Sequence, residues 1–141
     1  MIQFTVYGKP EPQGSARAFV LERPGQRARA IITSDNKKLK SWRQEVTRAA
    51  ITAMEEYELV SEAAVTILVD FYFQKPVSVP KKKLFKTTKP DVDKLLRGVL
   101  DGLTGVVFRD DAQVIDARAR KHFDACERTE IYIGLKEGVT L

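Results

Sequence analysis

Ala63-Ala64-Val65-Thr66-Ile67-Leu68-Val69-Asp70-Phe71-Tyr72-Phe73 is the stretch on which the fold turns. Val65, Ile67, Val69, Phe71 and Phe73 recur at every second position, so a strand here puts one continuous apolar face on a core. Asp70 interrupts the run, which is also too short to span a bilayer. Downstream, residues 91–103 change period: Leu95, Leu96, Val99, Leu100 and Leu103 line one side of a helix, and Gly105 stands where such a helix stops. Residues 112–121 and 129–135 return to strand patterning. Upstream, Ile2, Phe4 and Val6 alternate with Gln3, Thr5 and Tyr7 in a first strand, which Gly8, Pro10, Pro12 and Gly14 then break. Pro24-Gly25 marks the turn of a hairpin with arms at 18–21 and 28–33. Ser34 or Asp35 can cap a helix reaching to about Glu56, with Leu39, Trp42, Val46, Ala49, Ala50 and Ala53 on its inner face. The order β, β-hairpin, α, β, α, β, β predicts an α/β (α+β) domain with a small mixed β-sheet and two helices packed mainly on one face.

The chain has 141 residues, the size of one domain, so residues 1–141 are read as a single unit. Hydrophobic residues make up 43% and charged residues 30%, a globular and not a disordered balance. A lone cysteine, Cys126, excludes an internal disulfide and fits a reducing cytoplasm, and a lone histidine, His122, excludes a histidine metal site or a histidine triad. The first ten residues lack the long apolar stretch of a signal peptide. The net charge of +5 suits a polyanionic partner.

The carboxylates carry the chemistry. Asp91 and Asp93 stand at the entry of the second helix, and Asp110-Asp111 precede the next strand. If the helix packs on the sheet and its start meets the start of that strand, Asp91, Asp93 and Asp111 converge. Three carboxylates so placed stay ionised only around a cation. Oxygen donors alone select a hard cation, Mg²⁺ first and Mn²⁺ next, and make zinc improbable. The competing reading is structural: Asp in a first helical turn caps and complements the dipole, and Asp-Asp is a common turn. A single cap needs one aspartate, and here two are followed by another pair. Arg97 lies one turn after Asp93, placed either beside a phosphate or in a surface ion pair.

Lys81, Lys82, Lys83, Lys86 and Lys89 lead into these acids and read as a flexible phosphate-binding loop. Arg17, Arg23, Arg27 and Arg29 on the hairpin can extend the track, as can Arg118, Arg120 and Lys121. Phe85, inside the lysine run, serves either as a wedge for unpaired bases or as a hydrophobic anchor for the loop.

Lys89-Pro90-Asp91-Val92-Asp93, Leu100-Asp101-Gly102-Leu103 and Asp110-Asp111-Ala112-Gln113-Val114, with Lys121 beyond, resemble the RusA family of Holliday junction resolvases. Gly8-Lys9-Pro10-Glu11-Pro12 and Arg17 resemble the family's opening more faintly. The resemblance implies a compact homodimer that binds four-way junctions and nicks two opposed strands with Mg²⁺, and a bacterial or phage source. It places the family's essential aspartates on Asp91, Asp93 and Asp111. Where the family has Asn the chain has Lys94, and where it has an essential lysine the chain has Arg97, which keeps the charge but not the geometry. Three readings stay open: a junction resolvase without a small-molecule cofactor, a nuclease for flaps or forks, and a non-catalytic DNA-binding protein.

Overall fold

The computed structural model describes residues 1–13, 16–21, 29–34 and 38–136, with side chains for 1–13 and 40–136. Six strands and two helices follow in the order β1 (Ile2–Tyr7), β2 (Ala16–Leu21), β3 (Arg29–Ser34), α1 (Lys38–Ala53), β4 (Ala64–Phe73), α2 (Val92–Leu103), β5 (Val114–Phe123) and β6 (Arg128–Lys136). A short 3-10 turn, Asp111–Gln113, leads into β5. The main sheet has the order β1-β6-β4-β5, and β2 and β3 form a separate antiparallel hairpin. β6 runs antiparallel to both neighbours, whereas β4 and β5 run parallel, so the sheet is mixed.

The period-2 expectation for β4 holds. Val65, Ile67, Val69, Phe71 and Phe73 are all buried. They meet Trp42, Val46, Ala50 and Met54 from α1, Leu95, Val99 and Leu103 from α2, and Val6, Ile131 and Ile133 from the flanking strands in one core cluster. Both helices therefore lie on the same face of the sheet. They approach closely at Gly102, where an added Cβ would sit 2.9 Å from a Val46 methyl. The Thr47 hydroxyl donates to the Gly102 carbonyl at 2.8 Å across the same crossing. Gly105, with φ at +85°, follows the end of α2 in a conformation open to glycine. The first helix ends at Ala53, where its apolar pattern ends, and not at about Glu56. Of its two candidate caps, Ser34 closes β3 instead and Asp35 lies outside the described residues, as does the Leu39 side chain.

The other face of the sheet carries a polar network instead of helices. Asp70 is buried there, gripped by Arg120 through two hydrogen bonds of 2.7 and 2.9 Å, with His122 Nε2 2.8 Å from the same carboxylate. The His122 ring stacks on Tyr72, and Arg128 lies over the other partner of that stack, 3.9 Å from the Tyr72 ring centre. Burial alone would raise the Asp70 carboxyl pKa, but the hydrogen bonds and positive charge of Arg120 and His122 outweigh it and hold the group below its usual value. A carboxylate depressed in the folded state contributes stability above its unfolded pKa and loses it as the pH falls. The melting temperature is therefore expected to drop on acidification below about pH 4. Asp70→Asn should melt lower at neutral pH and show a shallower acid drop, both read by thermal unfolding across pH. Identical profiles for the two proteins would contradict this account.

Candidate active site

Asp91 is the N-cap residue of α2 but makes no side-chain cap hydrogen bond, and Asp93 stands in the first turn. Both are exposed, and the charged neighbour of Asp91 is Lys94 at 3.8 Å. The capping reading thus fails for Asp91. It holds for Asp110, whose side chain accepts from the Ala112 amide at 2.9 Å while Gln113 accepts from the Asp110 amide at 2.9 Å. Gln113 also donates to the carbonyls of Val60 and Ala63, pinning this turn to the start of β4. Asp110 is the structural member of the pair, which leaves Asp111 exposed and outside the capping box. Partial burial, a hydrogen bond with Asp110 and the negative charges of Asp110 and Asp101 raise the Asp111 pKa.

The three aspartates do not converge within one chain. β4 and β5 are parallel neighbours, so the segment joining them must carry the chain back from the end of β4 to the start of β5. α2 makes that return. Its first turn lies at the far end of β5, where the Lys121 ammonium donates to the Thr88 and Pro90 carbonyls at 2.9 and 3.0 Å. Its last turn lies toward Asp111. Twelve helical residues span about 18 Å. Among the described residues no group of three His, Cys, Asp or Glu is placed to hold one ion. The expectation that the start of the helix meets the start of the next strand is corrected here: in a crossover between parallel strands these two points lie at opposite ends of the strands.

Around Asp91 the chain is rich in cations. Lys81, Lys82 and Lys89 are exposed, and Lys83 and Lys86 are half-buried. The loop that carries them is held at several points. Lys75 donates to the Lys81 carbonyl at 3.1 Å and also to the Lys83 carbonyl. Lys86 lies over the Phe73 and Phe123 rings, 5.0 and 5.9 Å from their centres, and reaches the Thr88 hydroxyl. Burial, followed by the charges of Lys121 and Lys9, lowers the Lys86 pKa. Lys9 thus belongs to this basic cluster, which the sequence did not reveal because 77 positions separate the two residues. Its neighbour Gln13 donates its amide to the Lys94 carbonyl at 2.9 Å, laying the opening segment along the start of α2. Lys121, read from the sequence as a DNA contact, is turned onto the Thr88 and Pro90 carbonyls of the loop before α2. Arg97 is exposed and makes no hydrogen bond or ion pair among the described residues, so the i, i+4 pair with Asp93 is not formed. Arg17 lies on β2 with its side chain outside the described residues, and Arg23 and Arg27 are wholly outside them.

A mixed sheet backed by two helices thus sets two acids at a helix entry beside a lysine-rich loop. The family model "Endodeoxyribonuclease RusA" matches residues 10–134, and the chain belongs to this endodeoxyribonuclease family. It is also 34% identical over 140 residues to the uncharacterized protein YqaN of Bacillus subtilis (strain 168), covering 94% of each chain. No helix among the described residues is long and apolar enough to cross a membrane.

Proposed function

We propose that this chain resolves four-way DNA junctions by paired nicks in opposed strands. It acts as a Mg²⁺-dependent homodimer whose two active centres each take Asp91 and Asp93 from one chain and Asp111 from the other. The observation that carries the reading is the placement of the acids: two uncapped carboxylates at one end of α2 and a third at the opposite end. Membership of the endonuclease family gives them a task. A two-fold axis relating two chains can bring the far acid of one to the near pair of the other. The donor set fits the cation, since carboxylate oxygens are hard ligands and no histidine or thiol stands among them. When bound there, Mg²⁺ offsets charge developing on the phosphate and lowers the pKa of an attacking water.

The remaining residues have positioning tasks. Lys81, Lys82 and Lys89 neutralise backbone phosphates and offset the repulsion between DNA and the acids. Arg97, one turn beyond Asp93 and without a protein partner among the described residues, meets the scissile phosphate. Two-fold related centres match the symmetry of a four-way junction, whose resolution requires two cuts. The deciding experiment is cleavage of four-way, forked and linear DNA with and without Mg²⁺, alongside light scattering. The expected result is metal-dependent cutting of the four-way junction by a dimer. Arg97→Ala should slow that cutting at least about tenfold, some 1.4 kcal/mol of barrier, with Arg97→Lys retaining activity. Preference for forks, metal-independent behaviour or binding without cutting would each overturn the proposed reaction.

A further inference from the structure

We propose that Leu84 and Phe85 form an apolar wedge that enters the branch point of bound DNA and stacks on the bases exposed there, an inference that rests on branched DNA being the substrate. Both side chains are 72% exposed. Phe85 is therefore not an anchor for its loop; the Phe73 and Phe123 rings under Lys86 have that task. The wedge lies between two fixed points. On one side Lys75 holds the carbonyls of Lys81 and Lys83, and the Lys83 amide closes a turn onto the Pro80 carbonyl at 3.0 Å. On the other side Lys86 sits on the two rings and Lys121 grips Thr88 and Pro90. Two adjacent large apolar side chains are thus displayed on a backbone ordered in advance, which reduces the entropy lost when they meet a partner.

The surroundings select the partner. Residues 74–90 contain six lysines and no aspartate or glutamate. A two-residue apolar tip rimmed by cations suits a base step rimmed by phosphates. Intact duplex offers no open base face, whereas a branch point does, so the wedge adds affinity for branched over linear DNA. Phe85 precedes Asp91 by six residues, a chain reach of at most about 20 Å. Cuts should therefore fall within about six nucleotides of the branch, at roughly 3.4 Å per step along a strand.

The test uses the full chain without Mg²⁺, a synthetic four-way junction carrying 2-aminopurine at the branch point, and a linear duplex of equal length. Wild type should bind the junction more tightly than the duplex and raise the 2-aminopurine fluorescence as the base unstacks. Leu84→Ala combined with Phe85→Ala should weaken junction binding about tenfold (~1.4 kcal/mol), leave duplex binding unchanged and abolish the fluorescence rise. Phe85→Trp should retain both. If the double variant equals wild type in affinity and fluorescence, the wedge is refuted while the resolvase reading stands. If it weakens junction and duplex alike, or dissociates a dimer by light scattering, the pair serves the lysine loop or a protein contact and the wedge is again refuted. Wild type that fails to prefer the junction removes the substrate reading and the wedge together.

Discussion

Mixing Asp93→Asn chains with Asp111→Asn chains is expected to restore strand nicking that neither variant shows alone. Each homodimer carries the same lesion in both centres, so each should bind junctions and cut nothing. Binding by Asp111→Asn should persist or tighten, because removing a negative charge eases the approach of phosphates. In the mixed dimer the two lesions fall in one centre. The other centre receives Asp91 and Asp93 from the Asp111→Asn chain and Asp111 from the Asp93→Asn chain, and is intact. The product should be a single nick in a supercoiled cruciform, never the linear molecule that two opposed cuts give. The same geometry predicts one nick per binding event for a mixed dimer of wild type and Asp93→Asn. This expectation follows from the return path of α2 between parallel β4 and β5, which keeps Asp111 away from Asp91 within a chain. A mixture as inactive as its components would show that all three acids serve one chain's centre or that no shared centre exists. Wild-type cutting by Asp111→Asn alone would remove that residue from the reaction.

Lys121→Ala should lower the cleavage rate about 100-fold while changing junction affinity little, because a displacement of about 1 Å in a catalytic group can cost that much. The Lys121 ammonium bonds the carbonyls on either side of Lys89, one of them on the residue immediately before Asp91. Without it the strap from Thr88 to Pro90 loses two charge-assisted hydrogen bonds, and the acids at the start of α2 lose a support. The side chain is partly exposed, so global stability should change far less than the rate. Lys121→Arg should recover part of the activity. Single-turnover rates, binding constants and their salt dependence separate this role from a direct DNA contact. A phosphate contact would appear as weaker binding and a salt slope reduced by about one, with the rate on bound DNA preserved.

Elements were legible in the sequence because their signals are local. The alternation from Val65 to Phe73 and the apolar stripe from Leu95 to Leu103 each arise within a few turns or pleats, and Val65, Ile67, Val69, Phe71, Phe73, Leu95, Val99 and Leu103, which those periods mark, are buried. The acids at the start of α2 were legible for the same reason, since two aspartates at one helix entry exceed what a cap requires. Their relation to Asp111 was not. It depends on which strands are neighbours and whether they run in the same direction, and no short window of sequence contains that information. The network of Asp70, Arg120, His122 and Arg128 likewise joins three strands that only pairing brings together. Lys75 and Lys9 were missed because a lysine beside a distant loop looks like any surface lysine. By itself, the sequence determined the mixed sheet with two helices and the oxygen-donor character of its acidic residues, because side-chain periodicity and donor type are properties of the residues. Only the tertiary structure decided that Asp111 stands apart from Asp91 and Asp93 within a chain and which lysines face backbone instead of solvent, because those depend on the direction in which a connection returns across the sheet.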